Sequence, residues 1–385
     1  MIPRHEVLIV GAGVVGCSIA FHLARRGVRS VAIVEREHVP GSGSTSKANG
    51  GIRAQFTTKV NVEMSLRSME ILDALAPEIG EPPVYRKAGY LFLTASAARL
   101  AAMERAVAFQ KSLGVTVELL DRNDALGLAP FVEGSDLVGG TFGARDGFID
   151  PGALSAFFLR EATGAGVELA CGAEVLAIDW TQAGTFVVTT AQGKREAGIV
   201  VNAAGAWSAG IAALAGVELP VEPVRRHLLM TGPCRELPAV IPMTIDADTG
   251  VLIRKEGSCV LVAYSNPDEP AGFVTAFDPS FPERIVEPLE RRVPRAAAAG
   301  LDLRRSWAGL YEVTPDHHAV LGEAASAPGF FLATGFSGHG IMHAPAAGEA
   351  VAERIAGGRS VAVDISPLTL ERFARGETIH EAMVL

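Results

Sequence analysis

Residues 11–16 read Gly-Ala-Gly-Val-Val-Gly, and Glu35 follows 24 residues after Gly11. Together they can hold a dinucleotide. Gly11 permits a tight turn, Gly13 lets a pyrophosphate approach the backbone, and Gly16 lets a helix pack closely on a strand. The helix opens at Val14 and Val15, and its positive end would face the phosphates. Glu35 offers a carboxylate to ribose hydroxyls and would repel a 2′-phosphate, which disfavours NADP. This unit alone suits either a nicotinamide or a flavin dinucleotide.

Other segments carry chemistry of less obvious use. The loop from Gly41 to Arg53 brings the hydroxyls of Ser44, Thr45 and Ser46 together with backbone N–H groups around Gly50, Gly51 and Ile52. Near the C terminus, Gly335-Phe336-Ser337-Gly338-His339-Gly340-Ile341-Met342 follows an apolar run. A glycine turn between a strand and a helix makes a second anion-binding end. His339 and His343 are four apart, but no carboxylate completes a metal pair, and Asp316-His317-His318 is no better, so no metal is expected. Cys17, Cys171, Cys234 and Cys259 lie far apart with no C-x-x-C pair, as reduced thiols would.

These groups need rigid elements to hold them. Val7 to Val10 and Val31 to Val34 read as buried parallel strands, with a helix between them that Gly27 stops. An amphipathic helix is expected over about 58–75, and another over about 346–355. Ile199 to Asn202 and Phe330 to Thr334 are further buried strands, while Gly89 to Leu93, Val251 to Arg254 and Cys259 to Tyr264 suit an antiparallel sheet. The chain has 385 residues, 49% hydrophobic and 20% charged, enough for two domains. A net charge of −9 gives no attraction to phosphate backbones, so nucleic acid is not an expected partner. The apolar stretch from Val7 to Phe21 is too short to span a membrane and is broken by glycines, so a cytoplasmic location is expected.

The motifs GAGVVG with Glu35, GSGSTS, VVNAAGAW and ATGFSGHGI resemble those of the FAD-dependent D-amino-acid-oxidase and sarcosine-oxidase superfamily. The segment WAGLYEVTPDHHAVLGE is similar to the β subunits of bacterial L-proline and sarcosine dehydrogenases. The resemblance implies an α/β fold: a Rossmann-like FAD-binding domain of residues 1–80, 146–222 and 318–385, and an antiparallel-sheet (α+β) substrate domain of 81–145 and 223–317. It also implies the cofactor contacts. These are Gly11, Gly13, Val14, Val15, Gly16, Glu35 and Arg36; Ser44, Thr45, Ser46, Gly50, Gly51 and Ile52; Val175, Ala204, Gly205 and Trp207; and Gly309, Gly335, Ser337, Gly338, His339, Gly340 and Ile341.

Three departures from that pattern matter. Gly309 stands in the segment where monomeric sarcosine oxidases attach FAD through a cysteine, which implies non-covalent FAD. Met342 stands where those enzymes carry a carboxylate-binding lysine, and Leu261 aligns loosely with their O₂-activating lysine. The substrate carboxylate then falls first to Arg53, with Arg225, Arg226 and Arg254 behind it. Tyr311, Arg53 and His339 are the expected catalytic residues, and Tyr264, Met342 and His343 are expected beside the substrate; His227 is evenly balanced between a site role and a core role. The implied reaction is oxidation of the C–N bond of a secondary amine or amino acid of the sarcosine or proline type, by hydride transfer to flavin N5. The implied partners are that small molecule and the subunits of a dehydrogenase complex or a homo-oligomer. Two alternatives stand beside it: a deaminating glycine or D-amino-acid oxidase, and a non-catalytic flavoprotein assembly factor.

Overall fold

The computed structural model describes residues 2–80, 84–181 and 184–382. The chain opens with β1 (Arg4–Val10), α1 (Val14–Arg25) and β2 (Val31–Glu35). Val7 to Val10 and Val31 to Val34 are buried, as expected of strands covered on both faces. Gly27 ends the first helix at φ +80°. The hydroxyl-rich loop then makes a 3₁₀ turn at Thr45–Lys47 and a two-residue strand, Gly51–Ile52, before α2 (Lys59–Ile79). It is built into the domain.

Further along, β3 (Glu168–Cys171) and β4 (Gly193–Asn202) join the first pair. Next come three strands of a second sheet: β5 (Glu222–Thr231), β6 (Cys259–Tyr264) and β7 (Leu301–Val313). The chain then returns with β8 (Phe330–Thr334) and α3 (Gly340–Gly357). In the first sheet the order β3-β2-β1-β4-β8 is parallel throughout, with Val7 opposite both Val31 and Ile199 and Val200 opposite Phe330. Helices α1 and α3 pack on it, and the apolar core there includes Ile9, Phe21, Phe158 and Ala347.

The second sheet has eight strands among the described residues and starts β7-β5-β6. It is antiparallel except where Met243–Asp246 runs parallel to Tyr90–Thr94. The fold is therefore α/β with a second, mostly antiparallel sheet.

One helix differs from expectation. The sequence pattern predicts this helix over about 346–355. The helix instead begins at Gly340 and runs through Pro345. Proline here removes one N–H, which would have bonded the Ile341 carbonyl, without blocking helical φ. The next N–H, that of Ala346, donates to Ser68 Oγ (3.2 Å) on α2. The six extra residues bring the helix start up to the glycine turn.

Candidate active site

A cavity of about 490 Å³ runs along the ends of the parallel strands and opens under the second sheet. One end is lined by Gly11, Gly13, Val14, Val15, Glu35, Arg36, Ser44, Thr45, Val175, Ala204, Gly205 and Trp207. Toward the second sheet are Gly309 and Tyr311 of β7, Arg226 and His227 of β5, Tyr264 of β6, and Gly338, Gly340 and Ile341, while Glu312 of β7 stands between the two parts with its carboxylate beside Gly205.

The first end is shaped by backbone. At Gly11 (φ +107°) a Cβ would stand 2.5 Å from the Ala203 carbonyl oxygen, and at Gly16 it would stand 2.0 Å from that of Gly11. Gly16 thus seats α1 on β1 and does not itself line the cavity. Gly13 is different: its Cβ would meet only Thr45 Oγ1, at 3.3 Å, so its empty side belongs to the cavity. The Val14 N–H donates to Thr45 Oγ1 (3.0 Å). Glu35 accepts the Ala12 N–H (2.8 Å) on one oxygen and the Glu37 N–H (2.9 Å) on the other, which aims its remaining lone pairs and leaves them free for hydroxyls. Arg36 lies over Trp207 (4.3 Å), and Trp207 stacks on Phe273 (5.8 Å between centroids) from the second sheet's side.

At the second end, backbone and ring meet. Gly338 (φ +98°) has no room for a Cβ, which would lie 2.4 Å from the Tyr311 ring. Ser337 holds φ +51°, an uncommon conformation for a residue with a side chain. Its N–H donates to the Glu312 carbonyl (3.0 Å), and its hydroxyl accepts the Thr314 N–H (3.2 Å). The turn is therefore braced by β7, and Ser337 braces it without lining the cavity. Gly340, Ile341 and Met342 form the first turn of α3, so their N–H groups have no intrahelical acceptor.

Glu312 went unsuspected in the sequence. Its carboxyl is held by the Thr334 hydroxyl (2.9 Å) and the Phe336 N–H (3.4 Å), and among the described residues no cation pairs with it. Burial pushes its pKa up to about 7. His227 stacks on Phe281 (3.9 Å) and accepts the Asp278 N–H at Nε2 (3.2 Å), which puts its proton on Nδ1; burial holds its pKa down to about 4.

Several expected contacts lie off the cavity wall. Gly50 is needed against the Ile149 carbonyl (2.2 Å from a Cβ), Gly335 against Thr314 (2.5 Å), and Gly51 sits beside the Met243 sulfur (3.0 Å). Ile52 is core, and Ser46 turns its hydroxyl to its own loop. His339 caps α3 and sits edge-on to Phe56 (5.0 Å), with burial keeping it neutral. His343 bonds Ser65 Oγ (3.0 Å), and Met342 is core. Arg53 is fully buried: its guanidinium donates to the Gln55 carbonyl and lies on Phe56 (3.9 Å), near Tyr90, Asp146 and Glu381. It sits behind the wall, tied to its own loop.

FAD fits this set of residues. Glu35 and the Gly13 side of α1 suit an adenosine and its pyrophosphate, while the N–H groups of Gly340 and Ile341, which line the cavity at the start of α3, suit the electron-rich edge of a flavin. None of the four cysteines lines the cavity.

A family model described as FAD dependent oxidoreductase (DAO) matches residues 6–354. The chain is 33% identical to the FAD-dependent oxidoreductase domain-containing protein 1 of Bos taurus, over 99% of this chain and 87% of that protein. Among solved structures, L-proline dehydrogenase from P. horikoshii is similar with a TM-score of 0.90 and 29% identity, over 98% of this chain and 99% of that one. Glycine oxidase from Geobacillus kaustophilus is similar with a TM-score of 0.85 and 29% identity, over 96% and 99%. The likeness runs through both sheets and both glycine turns at once, which a shared nucleotide fold alone would not produce. This chain belongs to the DAO family of FAD-dependent oxidoreductases.

Proposed function

We propose that this protein oxidises the C–N bond of a secondary amine or an amino acid, giving an imine that water hydrolyses. The observation that carries the reading is the continuity of the cavity: the nucleotide end leads directly into a chamber walled by Tyr311, Tyr264, Arg226 and His227. Bound FAD would supply the two-electron acceptor for a hydride leaving the carbon next to nitrogen. The solved relatives named above are, by name, a dehydrogenase of proline and an oxidase of glycine, both amino acids.

The chain's own residues serve such a reaction in three ways. The N–H groups of Gly340 and Ile341, with the positive end of α3, favour negative charge beside them. Arg226 on the wall disfavours a second positive charge, so an amine bound there gives up its proton more readily and presents the neutral form from which a hydride can leave. Tyr311 and Tyr264 bring hydroxyls on rigid strands, with the Tyr311 ring fixed against Gly338.

A dehydrogenase is favoured over an oxidase. Leu261 is fully buried with Leu228, Met230 and Cys259 and offers no cation to the cavity. Non-covalent attachment is favoured because Gly309 and the cavity wall hold no cysteine. Acid precipitation should therefore release FAD into the supernatant; colour retained in the pellet would refute this. To test the activity, FAD-loaded protein is mixed anaerobically with L-proline, N-methylglycine, glycine and pyrrolidine, and bleaching of the flavin band is followed, then its return on adding a redox dye. Bleaching by at least one amine is expected. A flavin that dithionite reduces but no amine bleaches would overturn the reading.

A further inference from the structure

We propose that the carboxyl group of Glu312 binds the hydroxyls of the ribityl chain, the stretch of FAD that joins its pyrophosphate to its flavin. The proposal rests on the cofactor of the family and is independent of which amine is oxidised.

The position follows from the order of groups along the cofactor. Glu35 suits the ribose of the adenosine, Gly13 and the start of α1 suit the pyrophosphate, and the N–H groups of Gly340 and Ile341 suit the flavin. What crosses the cavity between them is the ribityl chain, an uncharged polyol. Glu312 belongs to the cavity wall on that path. A Cβ on Gly205, at the nucleotide end, would stand 3.5 Å from its Oε2, while its Oε1 accepts the Phe336 N–H (3.4 Å) in the turn that leads to α3.

Nothing around this carboxyl offsets its charge. The Gly205–Trp207 turn and the Thr334–Phe336 segment bring no titratable side chain. On β5, Pro223 stands opposite Glu312, and Arg225, two residues on, is held by Glu269 (2.6 Å) and lies near Asp278 (3.7 Å). Arg36 lies over Trp207, a Cβ at Gly309 would meet the Lys47 stem (2.6 Å), and the Tyr311 ring is set against Gly338. Burial therefore keeps the carboxyl protonated up to about pH 7. In that form it both donates and accepts, as a polyol does, and it does not repel the phosphates beside it. A place for the phosphates themselves would need N–H donors and a positive helix end, as at α1, and not an acid. Bound phosphates also oppose ionisation, so above about pH 7 FAD binding takes up a proton at Glu312, and affinity falls as pH rises.

The probes are FAD and its deoxy analogues lacking the 2′-, 3′- or 4′-hydroxyl of the ribityl chain. Dissociation constants are read from the flavin fluorescence released on diluting the loaded protein. In the wild type at pH 6.5, at least one analogue should bind about tenfold more weakly than FAD. Glu312→Leu should weaken FAD by about the same factor and bind that analogue as it binds FAD. A carboxyl that merely props the Thr334–Phe336 turn would instead weaken FAD and the analogues alike, which overturns the proposal. Between pH 6.5 and pH 8.5 the wild type should lose about tenfold in FAD affinity, and Glu312→Gln should lose almost none. Equal pH slopes in the two proteins also overturn it. Where neither variant folds, the wild type decides: analogues that all bind as tightly as FAD overturn the contact, and a selective loss with one of them upholds it.

Discussion

The two ends of the cavity are built by opposite means. At the nucleotide end the shape comes from missing atoms: Gly11 and Gly16 exist to let backbone touch backbone, and Gly13 keeps a space open. At the substrate end the shape comes from side chains on three strands, and what each does depends on its partners. Arg53 and Arg226 make the point. One guanidinium is enclosed behind the wall, the other lines the cavity, and nothing in their immediate sequence separates them. A backbone site tolerates no bulk, whereas a side-chain site tolerates bulk and depends on charge. Five substitutions test that contrast, from the largest effect to the smallest.

Gly11→Val should be the most damaging, because its Cβ meets the Ala203 carbonyl at a φ that valine avoids. A loss of about 4 kcal/mol or more is expected in thermal melts of the apoprotein. Gly13→Val should instead leave the apoprotein nearly as stable and abolish FAD retention. Equal melting losses in the two variants would break the distinction between glycines of fold and glycines of space.

Glu312 probes a side chain whose charge, not its bulk, decides its effect. Its pKa rises from 4.5 unfolded to about 7 folded, so between those values the native state binds more protons, and wild-type stability falls as pH rises. Glu312→Gln removes this, so its stability relative to wild type should improve by about 3 kcal/mol between pH 4.5 and pH 8. Denaturant melts at both ends of that range measure it, and parallel profiles for the two proteins would show that the carboxyl is not perturbed.

Arg53→Ala should lower stability by about 2–3 kcal/mol through lost packing on Phe56 and Phe92, and should weaken acids and plain amines to the same extent. A loss confined to acids would show that Arg53 binds the substrate carboxylate. Thr45→Val, which removes the acceptor of the Val14 N–H, should cost only about 1 kcal/mol in FAD binding.

The sequence made the backbone end readable because its requirements are local. A tight turn, a close approach and a helix start each leave a glycine at a fixed spacing, and the structure has them at Gly11, Gly16, Gly335 and Gly338. The start of α3 lies six residues before the expected one, since the helix tolerates Pro345 in its first turns, where a missing N–H costs little. The side-chain end was less legible. Glu312 is unusual only because no cation reaches it, and Arg53 is enclosed only because Tyr90, Asp146 and Glu381 arrive from remote segments. Absence and convergence of that kind have no spacing. The Arg-Arg-His run of β5 was the one available hint, since it interrupts a strand that continues as Leu228-Leu229-Met230.

The parallel sheet also sets the order in which the protein can be made. Strand β1 needs β4 as a neighbour, and β4 needs β8, so the sheet entered at residue 10 is not closed until residue 334 has been synthesised. At about 5–20 residues per second that interval is roughly 15–65 s. The apolar run Val7–Val10 lacks one edge partner until β4 is made at residues 193–202, β4 then lacks β8, and throughout the interval the start of α3 does not yet exist. Both ends of the cofactor can be held only once almost the whole chain has left the ribosome. Loading is thus a late event, and the waiting first strand is the segment a chaperone would have most reason to cover.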